Sequence, residues 1–229
     1  LDKGNPLLSI LLKKVLSLPH RFKLRLGMMD PNNVLHILDD LIEVYKNPKM
    51  YKFLHIPIQS ASDTVLKHMK RQYTIQEVEK IIHKFRSEFP KITVSTDIIV
   101  GYPKESEKDH QKNIEFIKRF MPDVFNLSKM SIHKGTLAEK FQPLDIKIIN
   151  KRTKELMNIH RLTAKNNKKK FFNKKIKVFV NKKIQKNFFE ARDDNYNIVL
   201  ISSKDNLLGK SVLVKIKDFG VHHLIGGLS

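Results

Sequence analysis

Short apolar runs alternate with longer amphipathic stretches from residue 20 to about residue 135. The apolar runs, which predict β-strands, lie at 22–28, 51–58, 92–100 and 124–132. The amphipathic stretches carry apolar residues at helical spacing and predict helices over 31–46, over 74–88 and from Ser106 onward. Strands separated by helices of this length imply a parallel sheet with right-handed crossovers. Four such units do not close a barrel, so an open doubly wound sheet and part of a (β/α) barrel both fit the pattern.

The pattern changes after residue 143. Residues 144–173 predict a long basic helix that leaves the sheet. Beyond it, five short runs separated by turn residues predict a small antiparallel β-barrel, and they lie at 176–180, 188–191, 197–201, 211–217 and 221–228. We therefore expect an α/β domain over 1–143, a connecting helix over 144–173 and a barrel over 174–229.

A strong positive charge distinguishes this chain from most small-molecule enzymes. Its 44 Lys and Arg residues exceed its 23 Asp and Glu residues, which gives a formal net charge of +21. The excess is uneven, since eleven Lys or Arg and no acidic residue occur between Arg161 and Lys186. Such a run is either a solvated connector or a surface that attracts polyanions. Its position against the predicted barrel favours nucleic acid as the partner.

Composition and the absence of targeting patterns exclude several classes of protein. No apolar stretch reaches the roughly 18 residues of a membrane span, and no signal-peptide pattern opens the chain. We therefore expect no membrane partner and a cytoplasmic location. The chain has no cysteine, which excludes a disulfide framework and cysteine-bound metal within these residues. The apolar stretch 7–16 predicts a helix that needs covering, as in a chain that starts inside a larger fold.

Two motifs and two short C-terminal runs carry a family resemblance. The run His55 to Ser62 reads His-Ile-Pro-Ile-Gln-Ser-Ala-Ser and is followed by Met69 and Arg71. The run Thr96 to Glu105 reads Thr-Asp-Ile-Ile-Val-Gly-Tyr-Pro-Lys-Glu. With Ala191–Tyr196 and Leu208–Lys210, these segments resemble the radical SAM methylthiotransferases that modify tRNA. The Gln-Ser-Ala-Ser form is most similar to the archaeal and eukaryotic branch, which acts on N6-threonylcarbamoyladenosine at position 37.

The resemblance implies an order of parts. An N-terminal domain and the start of a (β/α)6 partial barrel would each bind a [4Fe–4S] cluster through cysteines, and a TRAM domain, an RNA-binding barrel, would end the chain. Our sequence would then contain the last four βα units and the TRAM domain. Both clusters would lie upstream, in a missing or separately encoded N-terminal half. Within the resembling span, Lys104 replaces the family's glycine, and His133-Lys134 replaces its Arg-Pro.

The resemblance also implies a partial S-adenosylmethionine site at the carboxyl ends of the strands. Its candidate residues are Gln59, Ser60, Asp97, Gly101 and Ser131. Ordinary structural roles are the alternative, because Ser60 or Ser62 fits a helix start and Gly101 before Pro103 fits a common turn. Asp97 lies inside an apolar strand, where an acid needs a hydrogen-bond partner, for example an arginine. His55 shows no paired metal-ligand spacing and is better interpreted as a packed strand histidine.

The candidate residues for RNA lie in both parts of the chain. Two arginines and a set of barrel cations could bind phosphate or carboxylate groups, and they are Arg25, Arg71, Lys174, Lys175, Lys177, Lys182, Lys183 and Arg192. Structural salt bridges are the alternative for the arginines. Phe188, Phe189 and Tyr196 could stack an unpaired base, but a small barrel needs most of its aromatics inside. We therefore expect one of the three to be exposed.

Three hypotheses follow. The chain is the C-terminal part of a tRNA methylthiotransferase that is inactive without its cluster-binding half. Alternatively, it is a non-catalytic tRNA-binding module left by truncation. A third hypothesis, a complete α/β enzyme with another cofactor, fits poorly with an incomplete barrel. No residue within the chain is expected to be catalytic by itself or to bind a metal.

Overall fold

The computed structural model describes residues 7–131, 135 and 137–229. The first part of the chain forms α1 (Leu8–Leu16), α2 (Pro31–Leu35), α3 (Leu38–Lys46), β1 (Phe53–His55), α4 (Asp63–His68), α5 (Ile75–Glu88), β2 (Thr93–Val100), α6 (Glu107–Phe120), β3 (Val124–Lys129) and a 3-10 helix (Leu137–Lys140). A long helix, α7 (Ile146–Lys169), connects it to the second part. The second part forms β4 (Lys175–Gln185), β5 (Phe188–Arg192), β6 (Ile198–Ser202), β7 (Ser211–Phe219) and β8 (His223–Leu228).

The predicted parallel sheet is confirmed. Its strands lie in the order β1-β2-β3, with Phe53 opposite Thr93 and Asp97 opposite Asn126. One side of β2 enters the apolar core, where Ile98 and Val100 are fully buried against the helices. On the other side Asp97 and Ile99 are partly exposed, so towards its carboxyl end the sheet has one covered face and one more open face.

Local capping explains why the two main helices begin where they do. Thr74 and Glu77 form a reciprocal capping box at the start of α5. Ser106 and Asp109 do the same for α6. Each box is followed by an amphipathic run whose apolar side is buried, and the predicted helices are therefore confirmed with their first residues.

Three predicted elements are shorter or divided. The strand expected over 22–28 is reduced to isolated bridges at Leu24 and Met28, because Gly27 weakens the run. The helix expected over 31–46 breaks into α2 and α3, where the amide of Ile37 bonds back to Val34 only three residues earlier. The strand expected over 51–58 stops early, since Pro57 has no N–H for the ladder.

The second part is a closed five-stranded barrel in the order β4-β5-β6-β8-β7. Its interior holds an apolar cluster separate from that of the first part, including Val180, Phe189 and Val214. The expectation of a purely antiparallel barrel is wrong, because β6 and β8 pair in parallel. A closed ring with an odd number of strands cannot alternate direction throughout, so one parallel pair is unavoidable.

No helix among the described residues combines the length and the apolar composition needed to cross a membrane.

Candidate functional site

The open face of the sheet carries four polar side chains, which we call the polar face: His55, Asp97, Asn126 and Ser128. Nε2 of His55 donates to Oδ2 of Asp97 at 2.6 Å. Nδ2 of Asn126 donates to the other carboxylate oxygen of Asp97 at 2.7 Å. Asp97 is thus held from both neighbouring strands. The acid that the sequence places inside an apolar strand has two partners, and neither is an arginine.

The polar face remains accessible from one side. The side chains of His55 and Asp97 are 16% and 22% exposed, whereas the facing positions on the covered side are buried. Asn126 and Ser128 on β3 are exposed. A carboxylate oriented by two donors and still in contact with solvent can accept a hydrogen bond from a hydroxyl or amino group of a ligand.

Gln59 and Ser131 lie at the carboxyl edge beside this face. The backbone of Gln59 bridges to β2, where its amide donates to the Asp97 carbonyl at 2.9 Å. Gln59 also has a φ of 61°, a left-handed conformation that is unusual for glutamine and typical of constrained loops. Ser131 is exposed just beyond β3. These two residues and Asp97 are therefore brought to one edge of the sheet.

Ser60 and Gly101 occupy a different environment. The Ser60 side chain is fully buried and its Oγ accepts the amide of Ser62 at 3.2 Å. The amide of Gly101 donates to Oε2 of Glu105 at 3.0 Å. A β-carbon on Gly101 would lie 2.7 Å from Cγ1 of Ile149, so helix α7 fills the space beside this glycine. Both residues shape the loops behind the edge and do not face the open side.

A buried carboxylate links these two loops. Glu105 accepts hydrogen bonds from Gly101 and from Nδ2 of Asn113 at 3.1 Å. Asn113 in turn accepts the amide of Ala61, in the loop after β1, at 2.7 Å. Nη1 of Arg152 on α7 completes an ion pair with Glu105 at 2.9 Å. The Glu105 side chain therefore joins both strand-end loops to α6 and α7.

A second carboxylate, Asp109, fixes the start of α4 and α6 together. Burial raises its pKa, but hydrogen bonds from Ser106 and Ser62 outweigh this and hold the pKa below its usual value. Oγ of Ser62 donates to Asp109 at 2.5 Å. Ser62 is the N-cap of α4, yet its hydroxyl makes no capping bond there. The serine that resembles a simple helix start thus connects two helices.

The arginines predicted to bind substrate have unequal surroundings. The Arg25 guanidinium lies over the rings of Phe53 and Tyr196, 5.3 and 5.1 Å from their centroids. This contact joins the sheet to the barrel. Arg71 is exposed after α4. Arg71 is therefore accessible to an anion from solvent, and Arg25 presents one cationic edge beside the open face.

Arg192 belongs to a structural turn of the barrel. Its guanidinium pairs with Glu190 at 2.8 Å and stacks on Tyr196 at 4.3 Å. The following turn is organised by Asp193, whose side chain accepts the amides of Asn195 and Asn197. Burial raises the pKa of Asp193, although these hydrogen bonds oppose the shift. Arg192 thus already has partners that compete with a phosphate.

The predicted lysines of the barrel are all exposed. They are Lys174, Lys175, Lys177, Lys182 and Lys183. Of the three aromatic residues considered for stacking, Phe189 is buried in the barrel and Tyr196 is packed at the junction with the sheet. Phe188 is 45% exposed. The expectation of one freely exposed ring among the three agrees with this arrangement.

Sequence reasoning missed several residues of these surfaces. Asn126 and Ser128 alternate with apolar neighbours along β3, and that alternation could have placed them beside Asp97. On the barrel, Lys215 lies directly opposite Lys175. Along β7, Lys215 and Lys217 alternate with the buried Ile216, and that alternation marks both lysines as outward-facing.

No group of three or more His, Asp or Glu among the described residues is arranged to hold a metal ion. Lys104, which replaces a family glycine, lies over the ring of Phe141 at 4.0 Å. His133 lies outside the described residues.

Comparisons with known proteins agree with the sheet and the motifs. Residues 5–117 match the family described as the Radical SAM superfamily. Coproporphyrinogen III oxidase from Escherichia coli, a radical SAM enzyme of known structure, superposes with a TM-score of 0.55 at 12% identity. The match covers 93% of this chain and 51% of that one, and at this identity it shows the fold alone.

Curated proteins of similar sequence indicate a narrower family than the superfamily match does. A probable threonylcarbamoyladenosine tRNA methylthiotransferase from Archaeoglobus fulgidus is 37% identical over all 229 residues, which are 53% of its own length. The threonylcarbamoyladenosine tRNA methylthiotransferase of Homo sapiens is 32% identical over 98% of this chain and 39% of its own. The chain thus spans about half the length, or less, of these curated relatives. It belongs to the radical SAM superfamily and, by sequence, to the family of the threonylcarbamoyladenosine tRNA methylthiotransferases.

Proposed function

We propose that this chain is the C-terminal part of an enzyme that adds a methylthio group to C2 of N6-threonylcarbamoyladenosine at position 37 of tRNA. The observation that carries the proposal is the match of the whole chain to about half of the A. fulgidus relative, at 37% identity. The oriented carboxylate on the polar face and the exposed lysines of the barrel add chemistry suited to a cofactor and to RNA.

The domain division follows the same proposal. Residues 1–143 would be the last four units of a partial (β/α) barrel, 144–173 a connecting helix and 174–229 a TRAM domain. Three parallel strands and the bridged segment at Leu24 and Met28 support the first assignment. A closed five-stranded barrel with its own core supports the last, because small barrels of this kind commonly bind oligonucleotides.

The residues present fit part of an S-adenosylmethionine site. Asp97, with two donors already bound and its side chain partly exposed, would accept hydrogen bonds from the hydroxyl or amino groups of that cofactor. Gln59 and Ser131 would contact it from the strand ends. Ser60 and Gly101 would support the site from behind, since both are buried in the loops that Glu105 joins. The cofactor, when bound next to a reduced cluster, supplies the radical.

The residues present do not fit the iron–sulfur clusters. These clusters are held mainly by cysteine thiolates, and the chain has no cysteine. A cluster-binding half, either upstream or on a separate chain, would therefore supply them. This chain alone would be inactive, and its part in the reaction would be to orient the cofactor and to hold the anticodon loop.

Reconstitution tests the proposal directly. The chain is co-expressed with the cluster-binding half of a relative, the clusters are loaded without oxygen, and the nucleosides of the tRNA are analysed by mass spectrometry. We expect the 2-methylthio derivative only when both parts are present. Asp97→Ala should abolish it, while Asp205→Ala, an exposed acid on the barrel, should leave it unchanged.

The two principal hypotheses give different results in this assay. Tight tRNA binding with no product from a cluster-loaded pair would contradict the enzyme and support a tRNA-binding module. Binding of tRNA that does not weaken between low and high salt would contradict the assignment of the basic surface to RNA, because phosphate contacts release counterions.

A further inference from the structure

A groove of about 1090 Å³ lies where the first part of the chain meets the barrel. One wall is the segment 19–23 with Lys49 and Tyr51, and the other is formed by β4, β5 and the start of β7. We call it the junction groove. Lys49 and Tyr51 lie just before the amino end of β1, so the groove is away from the carboxyl edge of the sheet, and the proposed cofactor site does not use it.

Aromatic rings are concentrated in this groove. Phe22, Tyr51, Phe179 and Tyr196 all line it. Tyr51 and Tyr196 pack edge to face at 4.9 Å, and Tyr51 is buried. Phe179 is 39% exposed and points outward from β4, between Arg192 and Ser211 of the neighbouring strands. An exposed ring in a concave surface provides a stacking partner for a planar ligand.

The same groove is cationic. Arg21, Lys23, Lys49 and Arg192 line it, and within the described residues no Asp or Glu does. Lys23 and Arg192 pair with Asp194 and Glu190 outside the lining. Lys49 instead donates to the carbonyl oxygens of Leu16 and Leu18 and pairs with no carboxylate among the residues that the structure describes. Arg21 is exposed, so at least two positive charges face the groove without a carboxylate in this part of the structure.

The positive charge continues from the groove across the barrel. A smaller adjoining pocket shares Phe179 and Ser211 and adds Lys177, and the acid in its lining, Asp194, is paired with Lys23. Further along the same outward face, Lys175 and Lys215 lie directly opposite each other on β4 and β7. Like charges in register destabilise a sheet unless an anion lies between them. A continuous row of cations is suited to a chain of phosphates, which favours a polyanion over a single small anion.

We infer that the junction groove binds a single-stranded segment of RNA, with an unpaired base against Phe179 and its phosphates beside Arg21 and Lys49. The inference rests on the proposed tRNA substrate and adds where on this chain the RNA lies. It places the RNA on the β4–β7 side of the barrel. The alternative is the β5 side, where Phe188 is the exposed ring and Glu190 is the neighbouring acid.

The 229-residue chain and a fluorescently labelled anticodon stem-loop RNA test this, with affinity measured by fluorescence anisotropy. Phe179→Ala should weaken binding about tenfold, as for the loss of one stacked base. Its matched control is Phe188→Ala, an exposed phenylalanine on the same barrel, which should change the affinity less than about twofold. Circular dichroism confirms that each variant is folded.

Charge reversal gives an independent readout. Arg21→Glu and Lys177→Glu should each weaken binding about tenfold and reduce the slope of log affinity against log salt by roughly one or more. Lys204→Glu, at an exposed loop of the barrel, makes the same change of charge and should have less than about a twofold effect. If either Arg21→Glu or Lys177→Glu does not fold, the affinity and salt slope of the other variant decide the result.

The outcomes distinguish a failure of the groove assignment from a failure of the proposed function. Equal or larger losses in Phe188→Ala and Lys204→Glu would overturn the groove while leaving tRNA as the substrate. Displacement of the RNA by polyglutamate at equal charge concentration would also overturn it, because only charge would then be recognised. No salt-sensitive binding of the wild-type chain to any tRNA segment would instead contradict the proposed function.

Discussion

Glu105 and Arg152 form a buried ion pair in which Oε2 and Nη1 lie 2.9 Å apart, and the side chains are 0% and 6% exposed. Arg152 belongs to α7, while Glu105 follows the loop after β2. Through Glu105 the pair reaches Gly101 and Asn113, so it joins the long helix to both strand-end loops. Removal of one charge leaves the other buried and unpaired, which is the costly case for an ion pair.

We therefore expect Glu105→Gln to lower the free energy of unfolding by about 3 kcal/mol. The matched control is Glu107→Gln, because Glu107 pairs with the same Arg152 at 3.2 Å but is 77% exposed. That change should cost less than about 1 kcal/mol. Chemical denaturation followed by circular dichroism measures both, and equal losses in the two variants would contradict the role given to Glu105.

A second prediction concerns how closely α7 packs against Gly101. Its φ of +87° disfavours a side chain, and a β-carbon would meet Ile149 at 2.7 Å. Gly101→Ala should destabilise the chain by about 3 kcal/mol, from backbone strain and overpacking together. Gly27→Ala is the control, since nothing lies within 4 Å of a β-carbon there.

The steric part of the Gly101 effect can be separated from the backbone part. In an Ile149→Ala background, which removes the contacting carbons, Gly101→Ala should cost about 1 to 2 kcal/mol less than in the wild-type chain. Thermal and denaturant unfolding of the four proteins form the cycle. An additive result would show that α7 does not press on the glycine.

His160 predicts how stability depends on pH. It is buried on α7 beside Phe125 of β3, and burial, followed by the nearby His222, lowers its pKa to about 4 from 6.5. The unfolded chain therefore binds a proton between pH 6.5 and 4 that the folded chain does not. The contribution of neutral His160 is complete above pH 6.5 and is lost progressively as the pH falls towards 4.

The measurement compares wild type with His160→Phe, which keeps a ring against Phe125. Carboxyl groups titrate in the same window, so the difference between the two unfolding free energies is the informative quantity. It should change by about 2 to 3 kcal/mol between pH 7 and pH 4, with the variant gaining relative to the wild type at acid pH. A difference that stays constant would mean that His160 is not held neutral.

Tyr196 predicts the coupling between the sheet and the barrel. Its ring contacts Phe53 and Tyr51 and receives the guanidinium groups of Arg25 and Arg192. Tyr196→Ala should cost about 2 kcal/mol and increase amide exchange around residues 51–53. Phe188→Ala, which removes an exposed ring from the same barrel, should leave that exchange unchanged. Protection at 51–53 that survives Tyr196→Ala would contradict the coupling.

Much of the secondary structure was predictable because its signals are local. The helices α5 and α6 begin at capping boxes that can be read from the sequence, and β2 is rich in β-branched residues. The break at Ile37 was not predictable in this way, since apolar spacing continues across it. The parallel pair of β6 and β8 follows from closing five strands, a consequence of the number of strands that local patterns do not contain.

The positions of several candidate residues were predictable, but their hydrogen-bond partners were not. Asp97 and Gln59 do meet at one edge of the sheet, as strand ends should. The bond from His55 to Asp97 was missed because the two residues are 42 positions apart in the chain, and only the register of β1 against β2 brings them together. The partners of Arg192 were missed for a similar reason, since Glu190 and the Tyr196 ring become its neighbours only in the folded turn.

The contact of Tyr196 with Tyr51 and Phe53 has a consequence for any ligand that reaches both parts of the chain. Phe53 precedes His55 on the same side of β1, so the barrel is attached directly below the polar face. A backbone hydrogen bond from the amide of Lys52 to the carbonyl of Asp194, 2.8 Å long, adds a second link between the two. The distance between the barrel surface and the polar face is therefore set by this junction, and a ligand that reaches both surfaces must match that distance in length.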